Sequence, residues 1–155
     1  MQHRTLDQIA NVATISPVKE PPTREARRER LRRLATVLEE HEGPIRLLSR
    51  IEYLSRHELS TVRCDCSPLT VAFQDSVLRR QGLTSDRLGD AMTFFGLTPH
   101  EAHHLFCDCH YSASPDAKVI GRLVRALADR KSLVEHSREI WARWMAAASP
   151  LFGRG

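Results

Sequence analysis

The chain has 155 residues, a length that suits a single domain able to bury roughly two-thirds of its unfolded surface without disulfide or metal staples. Hydrophobic residues at 41% and charged residues at 27% are ordinary globular proportions, and 7 glycines with 8 prolines exclude collagen-like and low-complexity chains. The formal charge of +4 is modest, no apolar run approaches a membrane span, and MQHRTLDQIANVATIS is too polar for a signal-peptide core, so a cytoplasmic protein is expected.

Pro17, Pro21 and Pro22 set off residues 1–22, with Leu6, Ile9, Ala10 and Ala13, as a flexible arm or small docking helix ahead of a single helical domain over 23–155. Thr23 is placed to cap a helix with Leu31, Leu34, Ala35 and Leu38 inward, and Gly43-Pro44 is its expected stop. Within that helix, REARRERLRR holds six arginines and two glutamates, a surplus that equals the whole formal charge. One reading is a solvated face on which Glu25 and Glu29 pair with Arg28 and Arg33. The other is a contact surface through Arg24, Arg27, Arg28 and Arg32 for nucleic acid or an acidic partner. A second helix is expected from Pro44 with Ile45, Leu48 and Ile51 on one side, then a short one behind the capping box Ser55-x-x-Glu58.

Ser67-Pro68 opens the next, with Leu69, Ala72, Phe73 and Val77 inward and an end near Gly82. Thr84 or Ser85 opens a segment with Leu88, Ala91, Met92 and Phe95 that Gly96 closes. Thr98-Pro99-His100-Glu101 combines a cap, a proline at the first helical position and a capping-box glutamate. Ser114-Pro115 repeats the device before Val119, Ile120, Leu123, Val124 and Leu127. Ser132-x-x-Glu135 starts a last helix whose stripe of Leu133, Ile140, Trp141, Trp144, Met145 and Ala148 is either core or a contact for a protein partner or a second copy, with Trp141, Trp144 and Met145 as its anchors. No segment alternates β-branched and polar residues between turn signals, so the expected fold is an all-α, compact bundle of six to eight short helices.

The chemistry-bearing residues concentrate in two places. Four cysteines form two C-D-C pairs, Cys64/Cys66 and Cys107/Cys109, which in a reducing compartment are thiols and, as C-x-C rather than C-x-x-C, give a weak zinc signal. Residues 100–110, HEAHHLFCDCH, hold four of the eight histidines. Taken as one continuous helix, they place His100, His103, His104, Cys107 and His110 on an outward arc of about 120° and leave Ala102, Leu105, Phe106 and Cys109 facing the core. His100-Glu101-Ala102-His103-His104 matches H-E-x-x-H, in which His100 and His104 would grip zinc and Glu101 would act as general base.

His110 stands where the longer metzincin pattern has its third ligand, but Cys107 replaces the glycine of that pattern. In a straight helix His110 lies roughly 15 Å along the axis from His100, so it needs a sharp turn near residue 107 to join the same ion. Cys107, His103, Cys64 and Cys66 are the other candidate ligands, and the cofactor is zinc or none. Two features weigh against a hydrolase: Glu101 is already the capping partner of Thr98, and no strand lines a cleft. A Cys64 or Cys66 pair with His57 is a weak nucleophile signal, and the glycine-rich phosphate loops and the G-x-S-x-G elbow are missing from the sequence.

Residues 86–106 have the outline of a helix-turn-helix, but the second helix offers histidines and a glutamate where base readers carry Arg, Lys, Asn or Gln. FFGLTPHEAHHLF, followed by CDCHY and VIGRLVRAL, resembles a segment of small bacterial helical proteins with F-G-L-[ST]-x-x-E-A-x-x-L-F, from Arg87 to Leu127. The resemblance implies an all-α fold and a bacterial cytoplasmic setting, leaves the positions of His100 and His104 free, and brings no activity with it. The leading expectation is a small helical interaction or regulatory protein acting by protein–protein contacts, with zinc as a possible stabiliser. A zinc hydrolase and a DNA-binding regulator are the alternatives.

Overall fold

Thr23 starts a helix as expected: its Oγ1 accepts from the Ala26 N–H at 3.2 Å, and α1, as the first described helix is labelled, runs Arg24–Glu40. The structure, a computed structural model, describes residues 20–111 and 115–130. The remaining helices are α2 (Arg56–Thr61), α3 (Pro68–Gln74), α4 (Ser76–Arg80), α5 (Leu88–Phe95), α6 (Pro99–Phe106) and α7 (Ala117–Asp129), with 3-10 turns at Ile51–Tyr53 and Asp108–His110. The fold is all-α: the only β feature among the described residues is an isolated parallel bridge between Leu48 and Cys107. None of these helices is long and apolar enough to cross a membrane. Residues 1–19, Ser114 and the stripe of Leu133, Ile140, Trp141, Trp144, Met145 and Ala148 lie outside the described residues.

Most expected caps are present. Ser55 and Glu58 form both bonds of a capping box, Ser67 accepts from Thr70 N–H, Thr98 and Glu101 form a second box, and Gly96 ends α5 in the left-handed conformation at φ 63°. Other expectations need correcting. Helix α1 stops at Glu40, capped by His41 before Gly43-Pro44 is reached. No helix forms from Pro44: Leu48 N–H bonds to Phe106 O, Leu48 O accepts from Asp108 N–H, and Arg46 N–H bonds to Cys66 O. Those backbone groups are spent across the fold rather than one turn back, so the segment is extended, although Ile45, Leu48 and Ile51 are buried as expected.

The Ser67–Gly82 helix is also split. Asp75 caps α4 through Leu78 N–H while holding Arg33 in a two-pronged pair, Nη2 to Oδ2 at 2.6 Å and Nε to Oδ1 at 3.3 Å. Leu69, Val71, Ala72 and Leu78 are buried, whereas Phe73 and Val77 are only half-buried. Helix α5 opens at Leu88, later than Thr84 or Ser85, with Ser85 Oγ accepting from Arg87 N–H.

The core is organised by α1 against α7. Leu31, Leu34, Ala35 and Leu38 of α1 meet Ala117, Ile120, Gly121, Val124 and Ala128 of α7, all buried. The polar pairs flanking this seam run in opposite senses along the two helices, Arg32 to Asp129 at one end and Glu39 to Arg125 at the other, which makes the helices antiparallel. Gly121 sets their spacing. A Cβ there would stand 2.9 Å from Ala35 O and 2.8 Å from Glu39 Cγ, so only glycine allows this approach. Gly89 does the same for α5 on α2, where a Cβ would lie 2.6 Å from Ser60 Cα.

Arg27, Arg28, Arg30, Arg32 and Arg33 of α1 are committed to the fold. Arg27 donates to Gly96 O at 3.0 Å and to Glu101 at 2.9 Å, while Arg30 donates to Phe94 O at 2.7 Å and stacks 4.2 Å from the Phe94 ring centroid. Arg33 holds Asp75, Arg32 holds Asp129 at 2.6 Å, and Arg28 lies 3.9 Å from the same carboxylate. The local pairing expected with Glu25 and Glu29 is replaced by these long-range partners, and Glu29 accepts from Gln81 instead.

Two outcomes follow for stability. Gly121→Val forces α1 and α7 apart and lowers unfolding free energy by about 1–3 kcal/mol or more, read by urea unfolding followed at the helical signal. For pH, Asp75 and Glu101 are pushed up by burial but held below the usual carboxylate range by Arg33 with Leu78 N–H and by Thr98 N–H with Arg27, and Arg125 lowers Glu39. Carboxylates with depressed folded values stabilise above their unfolded range and lose that contribution as pH falls through the folded one. The melting temperature therefore holds between pH 7 and about 5 and falls below about pH 4, a profile checked by scanning calorimetry.

Candidate metal centre

Where α6 ends decides what its histidines can reach. Thr98 and Pro99 start it, Ala102, Leu105 and Phe106 bury its inner face, and the bridge to Leu48 stops it, with Cys107 at φ −91° and ψ 135°. The chain then turns through the Asp108–His110 3-10 turn, secured by a Ser49 Oγ to Asp108 bond. Tyr111 closes the corner, its hydroxyl shared between the α6 carbonyls of His104 at 3.2 Å and Leu105 at 3.3 Å.

This turn reverses the expected roles of two cysteines. A continuous helix would leave Cys107 outward and Cys109 in the core; with the helix broken at Phe106, Cys107 is fully buried and Cys109 is exposed. Burial pushes the Cys107 thiol up to about 11, and its Sγ lies 3.8 Å from Asp108 Oδ1. Cys107 is therefore a poor thiolate ligand.

The same turn supplies the sharp bend that His110 needs, but delivers it to a different partner. His110 Nε2 is 2.8 Å from His103 Nδ1, and the other ring nitrogen of His103 is 3.7 Å from Cys109 Sγ. The His110 ring stands edge-on to both His103 and His104, with centroids 4.7 and 4.9 Å away. His103, Cys109 and His110 place one ligand atom each within 4.8 Å of one another, and they are the sole such group of three or more His, Cys, Asp or Glu among the described residues. A tetrahedral zinc with bonds of about 2.0 Å to nitrogen and 2.3 Å to sulfur holds those two ligands about 3.5 Å apart, close to the spacing already present. The spacing H-x5-C-H could have signalled this set in the sequence once a break after Phe106 was suspected.

The H-E-x-x-H residues are not in that group, although the His104 ring meets that of His110. His100 and His104 are exposed and, with Glu101, line an open groove of about 400 Å³ against Leu123 and Leu127 of α7. Glu101 Oε1 accepts from Arg27 and Oε2 from Thr98 N–H at 2.9 Å, so both carboxylate oxygens serve the fold. Cys64 is half-buried with Sγ near Asp65 O at 3.5 Å. Cys66 is exposed at φ 60°, and neither joins the cluster. The segment 86–106 contains two eight-residue helices, α5 and α6, joined through Gly96, Leu97 and Thr98.

The two C-D-C cysteines of the corner are separable by mutation. Cys107→Ser buries a hydroxyl in place of a thiol and costs about 1–3 kcal/mol, whereas Cys109→Ser in metal-free protein changes stability by less than about 0.5 kcal/mol, both measured by denaturant unfolding. No protein family, no curated protein and no solved structure matches this chain.

Proposed function

We propose that this chain is a small helical interaction or regulatory protein that binds zinc at the corner after α6, with His103, Cys109 and His110 as ligands. The observation that carries the reading is the pre-arranged His103 Nε2 to Cys109 Sγ spacing of 3.7 Å with the His110 ring beside it. Two imidazoles and one thiolate are a donor set that suits zinc, and loading exchanges the His103–His110 hydrogen bond for two metal bonds. His104, whose ring already touches His110, or a water takes the fourth position.

The metal's role in this reading is to tie the 3-10 turn to α6. A hydrolase built on H-E-x-x-H would need Glu101 as base, and that carboxylate is spent on Arg27 and Thr98. Nucleic-acid binding through α1 is disfavoured in the same way, since Arg27, Arg28, Arg32 and Arg33 each face a carboxylate of another part of the fold. A protein partner or a second copy is the reading left for this surface.

Elemental analysis of untagged protein gives about one zinc per chain on this reading. His103→Ala and Cys109→Ser abolish it, whereas His100→Ala and Glu101→Gln retain it. Zinc held through His100 instead, or no zinc at micromolar supply, removes the proposal.

A further inference from the structure

The four thiols of this protein differ sharply in what surrounds them. Cys107 is sealed in the core, and Cys64 is half-buried against Asp65 O. Cys66 and Cys109 are both exposed, but among the described residues Cys109 is the one with an imidazole against its sulfur. That imidazole is held from behind: His103 meets Cys109 through Nε2 and His110 through Nδ1. In the tautomer that places the His103 proton on Nδ1, facing His110 Nε2, the Nε2 lone pair faces the thiol. Thiol, base and orienting group thus stand in line, the arrangement that activates a nucleophile.

We propose that Cys109 is a modification site that reacts with low-molecular-weight disulfides, and that this reaction controls the metal corner. His103 Nε2 takes the Cys109 proton, and Sγ attacks one sulfur of the disulfide. The S–S bond breaks, the departing sulfur leaves with the bonding pair, and it collects the proton from His103. One protein thiol and one disulfide become one protein mixed disulfide and one free thiol, with the protein sulfur oxidised and the departing sulfur reduced. The second half of the proposal rests on the zinc reading: Cys109 is the sole sulfur in the His103–Cys109–His110 set, so its capture removes that ligand and releases zinc.

The test uses the full chain and oxidised glutathione, with peptide mapping by mass spectrometry. In metal-free protein the first glutathione maps to Cys109, at a rate at least about tenfold above that of exposed Cys66. His103→Gln brings the Cys109 rate down to the Cys66 rate, and Cys66→Ser leaves it unchanged. In protein preloaded with one equivalent of zinc, thiolation of Cys109 releases the metal to a chromogenic chelator in step with the mixed disulfide. First modification at Cys66 or Cys64, or a Cys109 rate that ignores His103→Gln in a folded variant, overturns the reactive-thiol proposal. Selective thiolation of Cys109 in a protein that takes up no zinc overturns the metal reading and the control of zinc, and leaves the reactive thiol standing.

Discussion

A helix bearing six arginines occupies the middle of this fold, and the rest of the structure depends on how those charges are satisfied. The apolar stripe of α1 goes into the core, which drags its arginine-bearing flanks against neighbouring elements. Each neighbour answers with an acceptor: Asp75 from the α3–α4 break, Phe94 O and Gly96 O from the end of α5, Glu101 from the start of α6, Asp129 from the end of α7. Two of those acceptors are carbonyls at a helix C-terminus, where the orphan groups and the negative end of the dipole favour a cation. Exposed ion pairs contribute little energy singly, but a set of long-range, directional ones fixes where four elements sit around one axis. The basic cluster that suggests an external anion is largely an internal scaffold.

The extended segment at 44–50 plays a comparable part for the candidate site. Its backbone meets Cys66 through Arg46 and the residues around Cys107 through Leu48, so it joins both C-D-C turns to one line of chain. Because Leu48 claims Phe106 O and Asp108 N–H, α6 cannot run on to His110. The histidine–thiol cluster is thus a product of a bridge about sixty residues away in sequence, and no side chain in the cluster specifies it.

This explains what was legible in the sequence. Caps and helix stops are local signals, so Thr23, the Ser55 and Thr98 capping boxes, Ser67-Pro68 and Gly96 could be read directly, as could the inward faces of α1 and α6. The extended course of 44–50 could not, because Ile45, Leu48 and Ile51 carry a spacing that serves a helix and a buried extended segment alike. The exchange of Cys107 and Cys109 between core and surface follows from that one ambiguity. Asp75 was hidden for another reason: its value lies in a partner, Arg33, that periodicity cannot see. The H-E-x-x-H pattern draws attention to the right helix, and His103 and His110 stand among the candidate ligands, but Cys109 is assigned to the core when the helix is carried on past Phe106.

The seam between α1 and α7 has a consequence for the order of assembly. Ala35 and Gly121 touch across more than eighty intervening residues, so a helix contact close enough to need glycine is also a distinctly non-local one. Helical bundles usually fold fast because their contacts are near in sequence, and here the entropy of closing a long loop must be met before the central seam forms. On a ribosome, α1 emerges ahead of α7 with its apolar stripe and its arginines unmatched. It waits for nearly the whole described chain before α7 arrives, so the nascent helix carries an uncovered apolar stripe throughout that interval.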